Sequence, residues 1–173
     1  YRTFIIDNKI SKILDIGCGD FIYMNEVLKN LPNIKYLGVD IVPSIIDSNN
    51  EKFGNKNFNF KVMDAVEEDV DGNFDLIMSR FVMIHLNNVD NEKFLNKLKK
   101  INSKFIALTS ALTLKENYDL KKTGKYRDVN LEISPYNLKN KIKSITDIKN
   151  LKQNQDMFSF YDSVEFNKTD FNF

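Results

Sequence analysis

The 173-residue sequence predicts a doubly wound α/β fold, a mostly parallel sheet with helices on both faces. Three observations predict it. Short apolar runs alternate with amphipathic stretches, the first run ends in a glycine turn, and an aspartate closes each of three successive turns or strands at the carboxyl side.

The elements follow in order. After a short helical stretch at the start, Lys12 to Ile16 reads as an apolar strand, and Gly17-Cys18-Gly19 ends it with a turn that small residues accommodate. Met24, Val27, Leu28 and Leu31 recur at helical spacing until Pro32-Asn33 stops the helix. Tyr36 to Val39 is a second strand, ending at Asp40. Pro43 opens a weaker helix that Gly54 closes, and Phe58, Phe60 and Val62 alternate as a third strand ending near Asp64. Phe74 to Ser79 supplies a fourth. Asn88 or Asp90 is placed to cap a helix whose Phe94, Leu95, Leu98 and Ile101 face inward, and Phe105 to Thr109 is a fifth strand. From Leu112 to Leu138 the pattern gives way to a polar stretch with Gly124 and Pro135, too long for an ordinary connection and read as a substrate-side insertion. Ile142 to Ile148 and Met157 to Val164 complete a seven-stranded sheet as a pair.

Composition narrows the function. The length suits one domain spanning 1–173, and the start so close to the first strand suggests a domain excised from a longer chain with fused neighbours. Lys plus Arg number 25 against 24 Asp plus Glu, so bulk charge favours no nucleic-acid partner. The single cysteine, Cys18, forms no internal disulfide and reads as a small turn residue, not a nucleophile. With no spanning segment or signal peptide, the expectation is a cytoplasmic protein without a membrane partner. The acids Glu67, Glu68, Asp69 and Asp71 lack a ligand spacing and predict no metal. Lys97, Lys99 and Lys100 form the wet face of a helix.

The chemistry is expected at the carboxyl ends of the strands. The turn Leu14-Asp15-Ile16-Gly17-Cys18-Gly19-Asp20 lets backbone approach a nucleotide-like ligand, Asp40 stands where an acid accepts hydrogen bonds from ribose hydroxyls, and Asp64 ends the third strand. A dinucleotide-binding dehydrogenase uses the same turn, but its third glycine would fall at branched Ile22.

An acid followed by alternating glycines resembles the first motif of the class I S-adenosylmethionine-dependent methyltransferases, whose fold is a Rossmann-like seven-stranded sheet. The resemblance covers nearly the whole chain and implies S-adenosylmethionine as cofactor and S-adenosylhomocysteine as its product. It places Gly17 and Gly19 beside the methionine moiety, Asp15 near its amino group, Asp40 on the ribose, and Asp64 with Ala65 on the adenine, Ile41 and Ser79 belonging to the same site. Phe21 stands where many members have glycine, and its ring is expected to wall the pocket.

For the acceptor, His85, the only histidine, follows the fourth strand in Ser79-Arg80-Phe81-Val82-Met83-Ile84-His85-Leu86 and is the candidate general base. Its alternative is a brace for the next helix. Arg80 either fixes an acceptor oxygen or the cofactor carboxylate, or pairs with Asp75 or Asp64. The segment Thr123-Gly124-Lys125-Tyr126-Arg127, followed by Asn130 and Ser134-Pro135-Tyr136-Asn137, resembles a branch of small methyltransferases linked to sugar and surface-glycan pathways. Tyr126, Arg127, Asn130 and Tyr136 would then line a site for a polyhydroxylated acceptor. The expectation is an O-methyltransferase for a small polar molecule, a sugar or sugar nucleotide in glycan biosynthesis. The alternatives are a methyltransferase for a lipid, natural product or protein, and a silent donor-binding domain.

Overall fold

The computed structural model describes residues 1–146 and 156–173. Seven strands form one sheet: β1 (Lys12–Ile16), β2 (Lys35–Asp40), β3 (Phe58–Val62), β4 (Asn73–Ser79), β5 (Asn102–Ala111), β6 (Lys141–Thr146) and β7 (Asp156–Asp162). Their spatial order is β3-β2-β1-β4-β5-β7-β6. The first five run parallel, and β7 lies antiparallel between β5 and β6. The chain steps outward from β1 to β3 and then returns to place β4 on the other side of β1. A crevice therefore opens at the carboxyl ends of β1 and β4, the switch point where such sheets bind ligands.

Alternation along the strands splits the apolar residues between two faces. Leu14, Ile16, Ile77, Ile106 and Leu108 join one core with Phe94, Leu95 and Leu98 of α4 (Asn88–Lys100). Ile13, Tyr36, Leu76, Met78 and Ala107 join the other, beneath α1 (Arg2–Asp7), α2 (Ile22–Leu28) and α3 (Pro43–Phe53). Each fully buried Leu or Phe side chain of α4 contributes about 1.5–3 kcal/mol by leaving water, which fixes this helix and the turn before it.

The boundaries differ from expectation for identifiable reasons. α2 stops at Leu28, before Leu31, because the chain turns through Asn30 in a left-handed conformation (φ 68°). Leu31 still packs on the core from outside the helix. Neither Asn88 nor Asp90 caps α4: Asn87 does, its side chain accepting the Asp90 amide at 2.8 Å. β7 ends at Asp162, which caps α5 (Ser163–Asn167) by accepting the Val164 amide, so Val164 is helical. The predicted strand end at Ile148 lies outside the described residues.

The 112–138 segment has neither helix nor strand, yet it is stitched to the sheet. The Ala111 amide donates to Val129, the Leu131 amide to Ser110 Oγ, and the Leu138 amide to Leu131, all at 2.8 or 2.9 Å. Asn117 holds the segment together, accepting the Asn130 amide and donating to the Asn130 and Ser134 carbonyls.

Candidate active site

The turn after β1 is shaped by two glycines and tied to β2. Gly17 and Gly19 have φ of 75° and 55°, the left-handed region open to glycine. A Cβ on Gly17 would collide with the Val82 side chain, whereas one on Gly19 would meet nothing within 4 Å. The Gly17 and Cys18 amides donate to the Val39 carbonyl at 2.8 and 3.0 Å. The Gly19 amide donates to Asp40 Oδ2 and the Val42 amide to Asp40 Oδ1, both at 3.1 Å. One carboxylate thus holds two strand-end loops together, and each oxygen keeps capacity for a further donor.

Behind the turn, Asp15 is only 3% exposed. Its Oδ2 accepts the Tyr36 hydroxyl at 2.6 Å, while Oδ1 is buried with no partner among the described residues. Burial is the dominant influence and pushes the Asp15 pKa up to about 6, against the Tyr36 hydrogen bond and the Arg80 charge. The same burial holds the Tyr36 hydroxyl well above its ordinary pKa. Ser79, opposite Ile16 in the β1–β4 register, likewise has a buried and unpartnered Oγ. Burial, reinforced by the Asp15 and Asp40 carboxylates, raises the Cys18 thiol far above its usual range.

A cavity of about 410 Å³ opens above these strand ends, within the range of small-molecule sites. Gly17, Asp40, Ile41, Asp64 and Ala65 line one part, and Arg80 and His85 another. Asp15 and Ser79 are next in the chain to the lining residues Ile16 and Arg80, and neither they nor Gly19 are part of the wall. Asp64 Oδ1 also accepts the Val66 amide at 2.9 Å, so this acid serves its own turn as well as the cavity. The wall includes residues that sequence reasoning missed: Met63, Val66, Phe81, Val82, Leu86, Thr123 and Gly124. The apolar ones carry no signal that separates wall from core. The site suits S-adenosylmethionine on its own features. Asp40 offers acceptors for hydroxyls, Ile41, Met63 and Ala65 offer an apolar bed for a base, and the buried Asp15 carboxylate lies one residue behind the wall at Ile16.

Several expected contacts are corrected by the geometry. The Phe21 ring does not wall the cavity: it is 1% exposed, packed among Tyr36, Phe60, Phe53 and Phe58 with ring centroids at 4.7–5.5 Å. Its backbone takes the left-handed conformation (φ 61°) that a glycine would adopt freely, and burial of the ring offsets that strain. Arg80 does not pair with Asp75, which sits at the far end of β4 and binds Ser11, Lys12 and Lys104. The Arg80 guanidinium instead lies over the Tyr23 ring at 4.2 Å and near Phe81 at 5.3 Å.

On the acceptor side, His85 ends a 3₁₀ turn (Met83–His85). Its Nδ1 lies 2.9 Å from the Lys125 carbonyl oxygen. Tyr126 is 61% exposed and sets its ring edge-on to His85, with centroids 6.1 Å apart. The other three predicted acceptor residues are turned inward. Arg127 is buried, donating to the Tyr118 and Leu86 carbonyls, Asn88 Oδ1 and the Tyr136 hydroxyl, and pairing with Asp119. Tyr136 also accepts from Asn91 at 3.0 Å. Asn130 donates to the Leu114 carbonyl at 2.7 Å. The donors of the buried guanidinium are thus directed at acceptors of this loop and of the turn before α4, and Arg127, Asn130 and Tyr136 do not line the cavity.

Among the described residues no group of His, Cys, Asp and Glu is arranged to hold a metal ion. Of the acidic run, Glu67 and Asp69 pair with Lys93 and Lys97 of α4. No helix of the described residues is long and apolar enough to cross a membrane.

The family described as Methyltransferase domain matches residues 13–103, more than half of the chain. Malonyl-[acyl-carrier protein] O-methyltransferase 1 of Ilyobacter polytropus is 38% identical over 68 residues, 39% of this chain and 25% of that protein. Phosphoethanolamine N-methyltransferase of Plasmodium falciparum is 34% identical over 121 residues, 65% of this chain and 44% of that protein. The structure of PKMT2 from Rickettsia typhi in complex with AdoHcy superposes with a TM-score of 0.53 at 23% identity, over 60% of this chain and 21% of that one. The chain thus spans between a fifth and a half of the length of these three proteins. With the switch-point cavity, the glycine turn and a matched region running from β1 into β5, the chain belongs to the methyltransferase domain family of S-adenosylmethionine-dependent enzymes.

Proposed function

We propose that this domain transfers the methyl group of S-adenosylmethionine to a small polar acceptor, with His85 as the general base. The observation that carries the reading is the single cavity in which Asp40, Ile41, Asp64 and Ala65 face Arg80 and His85. The first set suits a nucleoside, with the Asp15 carboxylate behind Gly17 for the methionine ammonium. The second supplies a planar cation and a base on the acceptor side. Methyl transfer is an in-line displacement, so alignment of the acceptor with the sulfonium methyl and removal of its proton are what the protein must contribute.

The finer reading is O-methylation of a sugar or sugar nucleotide in glycan biosynthesis by a cytoplasmic protein, with further domains on the same chain. It rests on the Thr123-Gly124-Lys125-Tyr126-Arg127 resemblance, of which Tyr126 stays exposed beside His85. A second reading, N-methylation of a phosphorylated amine, is favoured by the 121-residue match to a phosphoethanolamine methyltransferase and by exposed Lys121, Lys122 and Lys125 flanking the cavity wall.

Calorimetric titration with S-adenosylhomocysteine tests the donor site, and labelled methyl transfer to sugars, sugar nucleotides and phosphoethanolamine tests the acceptor. Saturable binding weakened by Asp40→Ala is expected. His85→Ala should keep donor affinity while turnover falls by about 10²–10⁴. Binding of NAD in place of S-adenosylhomocysteine would overturn the reading.

A further inference from the structure

We infer that the 123–127 segment is a clamp that fixes which nitrogen of His85 carries the proton, with Thr123 as its positioning residue. This rests on the proposed role of His85 and goes beyond it by assigning the groups that make the ring a base.

The argument starts from the bond between His85 Nδ1 and the Lys125 carbonyl oxygen, 2.9 Å long. A carbonyl only accepts, so Nδ1 must donate. In the neutral ring the proton is then on Nδ1, and Nε2 is left with its lone pair as the nitrogen available to an acceptor's proton. The contact works only if the Lys125 carbonyl stays in place, and Lys125 itself is exposed.

Both flanks of that carbonyl are pinned. On one side, the Thr123 hydroxyl accepts the Asn87 amide at 3.1 Å and donates to Asp90 Oδ2, tying the segment to the first turn of α4. The Gly124 amide donates to the His85 carbonyl at 2.8 Å. On the other, the Arg127 amide donates to the Ile84 carbonyl at 3.0 Å, and its buried guanidinium holds the Leu86 carbonyl and Asn88. The segment thus runs antiparallel across the 3₁₀ turn, bonded to residues on both sides of the histidine ring. Thr123 and Gly124 line the cavity while making these bonds, so the clamp and the wall are the same residues. Thr123 is the member that can be altered without exposing a buried charge.

His85 is the only histidine, so labelling histidine with nitrogen-15 gives one ring to observe, with no acceptor needed. In the wild-type domain above neutral pH, long-range nitrogen–proton spectra should show Nδ1 protonated and Nε2 bare. Thr123→Val should move the ring toward a mixture of tautomers, and Thr123→Ser, which keeps the hydroxyl, should restore the wild-type pattern. With an acceptor in hand, Thr123→Val should lower kcat about tenfold, a part of what a placed base supplies, at unchanged KM for S-adenosylmethionine. If Thr123→Val does not fold, Asp90→Asn weakens the same hydroxyl's charged acceptor and is read in the same way. A wild-type ring protonated on Nε2, or a tautomer unchanged in a folded Thr123→Val or Asp90→Asn protein, would overturn the inference. Failure of S-adenosylhomocysteine to bind or to perturb the ring would instead overturn the proposed function, and the tautomer would still be readable.

Discussion

Titrating the domain with S-adenosylhomocysteine at a series of pH values from about 4.5 to 7.5 exposes the consequence of burying Asp15 beside the glycine turn. The carboxyl is 3% exposed and its pKa is pushed from 3.8 to about 6, chiefly by burial. Near pH 5 most of the ligand-free protein therefore carries a proton there. A donor ammonium bound in the cavity beside Ile16 and Gly17 would act on this buried carboxyl through space and favour its ionised form, so binding should expel that proton. Donor affinity then rises with pH, by up to about tenfold per unit below about 6, and levels off above it. If the bound carboxyl returns to its ordinary value, the whole interval is worth about 3 kcal/mol, or about 100-fold in affinity. The same group acts on stability with the opposite slope. Because the folded pKa lies above the unfolded one, its contribution is full below about pH 3.8 and is lost as pH rises through about 6. Asp15→Asn removes both dependences. Wild-type affinity that is flat across this window, or an Asp15→Asn protein with the same slope, would show that the ammonium is not bound at Asp15.

Three further perturbations separate the roles of nearby residues. Gly17→Ala and Gly19→Ala both pay about 1–2 kcal/mol for a left-handed conformation, but only the first also drives a methyl into Val82, so its melting temperature should fall further and its donor affinity should drop. Equal losses in the two variants would contradict the packing at Val82. Phe21→Ala should cost about 3–5 kcal/mol in denaturant unfolding and leave donor affinity within about threefold, because the ring is in the core and not on the cavity; a loss of affinity without a loss of stability would put the ring back on the ligand. Arg127→Met leaves the buried Leu86 carbonyl and the Tyr136 hydroxyl short of a donor and should destabilise by about 1–3 kcal/mol, a result that an acceptor-contacting arginine would not give.

The donor half of the candidate cavity was legible in the sequence because each of its features is local. Gly17, Asp40 and Asp64 stand at strand ends that the alternation of apolar runs already marks, and turn chemistry restricts what can follow them. Phe21 misled because its position in the motif points at the ligand, while its ring chooses the aromatic cluster under α2 and α3, whose members come from three other elements. Three of the four residues expected to line the acceptor site turn inward for a related reason. Arg127, Asn130 and Tyr136 are residue types that suit a sugar, and they equally suit a long loop that must satisfy its own backbone. Which need prevails depends on partners such as the Leu86 carbonyl and Asn88, about forty positions away in the chain, and nothing in the local pattern reveals them. Once those side chains are committed inward, what faces the cavity from this loop is Thr123 and Gly124, with the Lys125 carbonyl behind His85. Substitutions at Arg127, Asn130 and Tyr136 should therefore be read first as folding experiments. Those at Arg80, His85 and Thr123 bear on the proposed chemistry, because these residues line the cavity and Thr123 holds the segment that bonds the histidine ring.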